Sequence, residues 1–348
     1  MEEITQPDIS AIVPMEIDSK RKRRKKDGKR NFGLFIIFQK TFLELLSLRR
    51  VLSYLGLSIV FPFVFTMIVS GSLTGTLADM SIDFQIATVV NYFAFYSFFW
   101  NAGILLILYC GLTASTFISS EESGGTLIFL LTKPIRRTTL YVGKFLGYFV
   151  NMAILQFISL LFGLTITCTL FDVSSAVFIA GMKFLVPIYL YALLMIAVIG
   201  LMLGFLSIIN KRMVISVLVI MFLIIFIYFL GIIFRVAIPT YYESGHLYLI
   251  DIGYNLSLIF TTFLGYFGFQ PIPFFQQNFG LFFGTYVSMF SDVSEFLGSA
   301  DPENGLTFLL PETGYVNPIL SIIVMVAITA LLFILGLIIL ERKDIGPQ

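Results

Sequence analysis

Six stretches of this chain, near residues 52–71, 92–118, 145–170, 184–209, 213–234 and 319–340, run for about twenty residues or more without one charged side chain. A bilayer core about 30 Å thick takes ~20 apolar residues to cross as a helix. Inside it, every backbone amide has to be paired within the segment or against neighbouring protein. The pattern therefore predicts an all-α polytopic membrane protein with six transmembrane helices. Composition agrees, because 12% of the residues are charged against roughly 25% in a soluble domain. Pro62 and Pro187 fall inside two of the stretches. Packed spans tolerate such breaks, because neighbours re-satisfy the freed backbone groups.

The positions of the basic residues set the expected orientation. Of 22 lysines and arginines, only Lys183 and Arg235 fall on one side of the six-span arrangement. Both termini are thus expected in the cytoplasm, in a protein of the cell membrane. Residues 1–31 are polar and carry the run from Lys20 to Lys26. They cannot build a core and read as a disordered cytoplasmic tail lying against anionic lipid, not as a nucleic-acid contact. No cleavage site follows the run, so the first span is expected to serve as its own anchor. Residues 32–50 read as an interfacial amphipathic helix. Phe35, Phe38, Phe42, Leu45 and Leu46 recur at helical spacing, with Lys40, Glu44, Arg49 and Arg50 between them. The membrane domain then runs over 51–341 and a short cytoplasmic tail over 342–348. A large extracytoplasmic loop, 236–318, precedes the last helix. It holds two shorter apolar stretches, 256–269 and 279–290, which suit re-entrant helices. Two further spans there would keep the charge parity, so the sequence alone leaves six or eight spans open. Asn255-Leu256-Ser257 forms a glycosylation sequon.

The chain offers little to enzyme chemistry. Its single histidine, His246, cannot build a His-rich metal site or a convincing catalytic triad. Cys110 and Cys168 lie within apolar stretches and read as small buried residues. Gly143-Lys144 lacks the glycine and hydroxyl residue of a phosphate-binding loop. No metal, catalytic or cofactor site is expected in this chain. The uncharged cores also speak against a secondary transporter driven by protons or sodium. Asn101, Asn151 and Gln156 are polar groups in the second and third spans. They are candidates to line a substrate path, or else to hydrogen-bond between helices. Gly143/Gly147 and Gly200/Gly204 have the four-residue spacing of close helix packing.

One polar island remains, residues 119–144. Acids open it at Glu121 and Glu122, glycines follow at Gly124 and Gly125, and an apolar run covers Thr126–Leu131. Pro134, Arg136, Arg137 and Lys144 close it. As physical chemistry, the acids suit the first turn of a helix and the glycines permit close approach. The apolar run fits a groove on a soluble partner.

The order Glu121, Glu122, Gly125, Thr126, Leu127, Leu130, Leu131, Pro134, Arg136, Arg137, Gly143, Lys144 resembles the loop between spans two and three of type-2 ABC transporter permeases. The amphipathic helix, the six-span layout, the loop before the last span and the closing Leu340-Glu-Arg-Lys-Asp are similar too. Ser120 and Ser123 stand where that family often has a base among the acids. The resemblance implies an exporter's membrane subunit, an ATPase-coupling loop at Glu121, Glu122, Gly124, Gly125, Thr126, Leu127, Pro134, Arg136 and Arg137, and ATP bound by a separate ATPase subunit. It also implies pairing with a second copy or a related permease. The competing classes are a lipid-modifying enzyme, a membrane scaffold and a secondary transporter.

Overall fold

The computed structural model describes residues 33–77, 79–119, 121, 136–210, 213–287 and 310–342. Among them there is no strand, only an isolated bridge between Tyr286 and Glu312. A first helix, α1, covers 33–45 and precedes α2, Leu48–Leu77. The second span, α3, is Ile82–Ala114. Then come α4, Arg137–Leu170, and α5, Ser175–Ile209. The fifth span, α6, is Val214–Ala237 and the last, α10, is Pro318–Arg342. Between these two lie α7, Pro239–Ser244, α8, Ile252–Tyr266, and α9, Pro273–Phe283.

Six helices are thus long and apolar enough to cross a membrane. At about 1.5 Å per residue, α8 with 15 residues and α9 with 11 fall short of a 30 Å core. Among the described residues the layout is six candidate spans, not eight. Helix limits differ from the sequence reading in two places. α3 starts at Ile82, ten residues before the expected 92, because Ser81 caps it by accepting from the Phe84 amide. Asp83, Gln85 and Asn91 dilute the hydropathy there. Asn91 is satisfied from afar, giving to the Gln270 carbonyl at 3.0 Å and accepting from the Ile272 amide at 3.0 Å. α4 likewise begins eight residues before the expected 145.

α3 and α5 form the centre. Their apolar windows are 72% and 61% buried, against 22% for the first span and 6% for α10. The glycine pairs act where the sequence places them. A Cβ on Gly204 would lie 3.2 Å from the Phe117 ring, and one on Gly200 would overlap the Tyr148 ring. Phenylalanine fills the end of the bundle away from the 119–136 loop. Phe279 of α9 lies 4.0 Å from Phe275 and 5.1 Å from Phe98, ring centre to ring centre, and Phe98 lies 4.9 Å from Phe260. These contacts seat α8 and α9 as a cap on α3.

Candidate functional site

At the loop end, three elements meet on one carboxylate. Lys144, in the second turn of α4, donates to Glu121 Oε1 at 2.9 Å and to the Phe117 carbonyl at 2.5 Å. Lys40 of α1 reaches the same Oε1 at 3.3 Å. The Glu121 and Lys144 side chains are 9% and 10% exposed, whereas Lys40 is 55% exposed. The inner pair is desolvated and carries most of the coupling, because exposed pairs are worth little.

Glycine explains how α1 reaches this point. A Cβ on Gly147 would lie 2.8 Å from the Phe38 carbonyl, and one on Gly143 would lie 2.9 Å from Ile37 Cγ2. The helix backbones approach where α4 has no side chain. Ile37, Thr41 and Leu45 form the buried face, while Phe35, Ile36 and Leu43 stay exposed.

Arg136 is exposed and extended at the N-terminal boundary of α4. Arg137 donates to the carbonyls of Leu340 and Glu341 at 3.3 and 3.2 Å. Its positive charge suits the C-terminal end of α10, where carbonyls are left over. Of the island residues singled out by sequence, Glu121, Arg136, Arg137, Gly143 and Lys144 are therefore placed. Glu122, Gly124, Gly125, Thr126, Leu127 and Pro134 lie outside the described residues, as does the basic tail.

Asn101, Asn151 and Gln156 are enclosed by the chain's own helices, each at most 1% exposed. Gln156 accepts from the Tyr54 hydroxyl through Oε1. Its Nε2, Asn151 Nδ2 and both Asn101 amide atoms have no partner among the described residues. A Cβ on Gly163 would lie 3.2 Å from Asn101 Nδ2, so Asn101 faces α4.

A second polar centre at the opposite end went unseen in the sequence, where Arg235 enters only the count of basic residues. Arg235 forms a buried ion pair with Asp251 and donates to the Phe282 carbonyl at 2.5 Å. Asp251 also accepts from the Tyr242 hydroxyl at 3.0 Å and caps α8 through the Tyr254 amide at 3.0 Å. Gly231 and Gly284 leave room for it. A Cβ on Gly231 would lie 2.9 Å from Asp251 Oδ2, and one on Gly284, at φ +71°, would lie 2.5 Å from Arg235 Cδ. Those glycines, around an isolated acid and base, were the available signal. The Asn255 sequon is folded into the same region. Its amide donates to the Tyr248 and Asp251 carbonyls at 3.0 and 2.9 Å and its oxygen accepts from Ser321 at 2.7 Å.

The ionisable side chains thus gather at two places, the Glu121–Lys144–Lys40 junction and the Arg235–Asp251 pair. A family model described as "ABC-2 family transporter protein" matches residues 37–345. No curated protein matches the chain.

Proposed function

We propose, from the premise that this chain belongs to the ABC-2 family of transporter proteins, that it is the membrane half of an exporter driven by a separate ATPase. The family makes it an integral membrane permease of an ABC system and not an enzyme. Two copies, or this chain and a related permease, would pair with two ATPase subunits about a two-fold axis, as most closed oligomers do. Both termini would lie in the cytoplasm of a cell-membrane protein, where the basic residues gather.

The observation that carries the coupling role is the convergence on Glu121. The ATPase would dock against residues 119–136, with Gly124 and Gly125 allowing close approach, Thr126 and Leu127 filling a groove and Pro134, Arg136 and Arg137 closing the loop. Any push there meets Glu121, whose pairing with Lys144 and Lys40 passes it to α4 and α1 together. Asn101, Asn151 and Gln156 would border a substrate path only in a state that parts α2 and α3 from α4.

The test is purification of the tagged chain in mild detergent, followed by mass and composition measurement. An ATPase with a phosphate-binding loop should co-purify, and liposome transport should require ATP. Substituting Gly125→Trp or Glu122→Lys should leave hydrolysis but abolish transport. A stable monomer without an ATPase, transporting without ATP, would sink this reading.

A further inference from the structure

Two grooves flank one short turn at the capped end. The first, of about 250 Å³, lies between α6 and the chain after α7, and is lined by Phe226, Leu230, Phe234, Leu247, Ile250 and Asp251. The second, of about 140 Å³, lies between that same chain and α10, and is lined by Leu249, Ile252, Val316, Leu320, Val324 and Ile328. The turn is the 3₁₀ segment Leu247–Leu249 with the start of α8. Its residues alternate across it: Leu247, Ile250 and Asp251 face one groove, Leu249 and Ile252 the other. One thickness of backbone therefore separates the two. Phe229, Ile233, Leu249, Ile250, Ile319 and Ile323 around them are exposed apolar side chains, as suits a surface in lipid. Along α6 and α10 the grooves cover Phe226 to Phe234 and Leu320 to Ile328. α6 ends at Ala237 and α10 begins at Pro318. At ~1.5 Å per residue, both grooves lie within about 16 Å of the capped end, the depth of one leaflet of a core about 30 Å thick.

Neither groove offers an unspent polar group. Asp251 is committed to Arg235, Tyr242 and the Tyr254 amide. Asn255 and Ser321, which also line the second groove, are bonded to each other, and the Asn255 amide holds two carbonyls. A polar solute would lose its hydration here without replacement, whereas hydrocarbon has none to lose. The residues next along the chain carry a different chemistry. Tyr248, between Leu247 and Leu249, stacks on Tyr315, beside Val316, with ring centres 5.0 Å apart. Tyr242 stands edge-on to the two at 6.4 and 6.1 Å. The Tyr315 hydroxyl donates to Glu243 at 2.5 Å, and the Tyr248 hydroxyl meets His246 Nδ1 at 2.7 Å. Glu243 is exposed, while the charge of Arg235 is already matched by Asp251. Tyrosine faces beside an exposed carboxylate attract an ammonium group and repel an anion.

We propose that this face binds one two-chain phospholipid with an amine-bearing, zwitterionic headgroup. One acyl chain fills each groove, the pair straddles the Leu247–Ile252 turn, and the ammonium rests against Glu243 and the Tyr248–Tyr315 stack. The lipid gives α10, whose apolar window is 6% buried, a second set of contacts to the cap. This site needs only that the chain sits in a membrane and does not depend on the ATPase.

Native mass spectrometry of the purified full chain tests it, with phosphatidylethanolamine or phosphatidylglycerol of identical acyl chains added. One phosphatidylethanolamine should be retained per chain, on the order of tenfold more tightly than phosphatidylglycerol. Leu230→Trp fills the first groove and Leu320→Trp the second. An indole in either overpacks it against an acyl chain, which should weaken retention of that same lipid on the order of tenfold. Glu243→Gln should erase the headgroup preference and leave one lipid bound. Glu243 is exposed, so this variant keeps the test decisive if a tryptophan variant fails to assemble. Equal retention of the two headgroups by the parent chain overturns the site. So do two lipids per chain, with each tryptophan removing one, or unchanged retention in both tryptophan variants. If the tryptophans instead convert a dimer to a monomer with lipid retention unchanged, the face belongs to a second copy and the lipid assignment falls.

Discussion

Lys144 and Glu121 form a buried ion pair, 2.9 Å long, that ties the start of the third span to the chain leaving the second. Breaking such a pair strands a charge, which costs about 3–5 kcal/mol, whereas removing both partners is far milder. Glu121→Leu or Lys144→Met alone should therefore lower the melting temperature of the purified protein sharply and reduce its yield in membranes. The double variant should recover most of both. If the ion pair also transmits motion, the recovered double variant should still show a low ratio of transport to hydrolysis.

The seating of α1 depends on Gly147, where a Cβ would press on the Phe38 backbone. Backbone cannot retreat as a side chain can, so overpacking here should cost about 1–3 kcal/mol. Gly147→Val is expected to lift α1 off α4 and expose Thr41, which is 8% accessible in the structure. The check is thiol labelling of Thr41→Cys in the two backgrounds. Unchanged labelling would mean that α1 is held from elsewhere.

At the other end, Asp251 serves Arg235, Tyr242 and the first turn of α8 at once. Asp251→Ala should cost about 3–5 kcal/mol, because Arg235 is left charged and buried. Alkaline pH probes the same site. Burial pushes the Tyr242 phenol well above its usual range, and the Asp251 charge adds to this. In the unfolded chain that phenol ionises near ~10, while the folded chain keeps its proton. Stability from this group is therefore flat below that pH and falls as pH rises above it. Tyr242→Phe should flatten the alkaline limb of melting temperature against pH.

The six spans were legible because twenty apolar residues in lipid have essentially one backbone solution. Their limits were less so. Asn91 at the head of α3 is paired with residues about 180 positions away, and no local window contains that information. The short stretches around 256–269 and 279–290 suited re-entrant helices better than spans, but the sequence alone left eight spans open. What seats them is ring stacking of Phe279 on Phe98 and Phe260, a tertiary fact. The glycines at 143 and 147 announced a close helix contact but not its partner. Arg235 and Asp251 escaped notice because the turn that joins them exists only once α7 folds back.

Asn255 should carry no glycan in the folded protein. Its amide nitrogen already donates twice, and Ser257 of the same sequon is fully buried. Glycosidase treatment should leave electrophoretic mobility unchanged. Asn255→Ala should instead destabilise the protein by about 1–3 kcal/mol through lost buried hydrogen bonds. A mobility shift abolished by Asn255→Gln would refute this.

The orientation of the bundle is the last prediction. Of the 22 basic residues in the sequence, the charge pattern assigns only Lys183 and Arg235 to the capped end. Arg235 is neutralised by Asp251, and Lys183 lies 5.6 Å above the Phe184 ring. The capped end therefore offers little free positive charge to hold it back during insertion, which is the condition under which short loops translocate. Two exposed residues report on the two ends: Arg136 at the loop end, and Tyr241 in α7, 72% accessible, at the other. In intact cells a membrane-impermeant thiol reagent should modify Tyr241→Cys and leave Arg136→Cys untouched until the membrane is opened. Residue 241 follows five spans and residue 136 follows two, so opposite labelling is also a parity test of the three spans between them. Labelling of Arg136→Cys from outside would invert the protein, and would remove the surface on which the proposed ATPase must act.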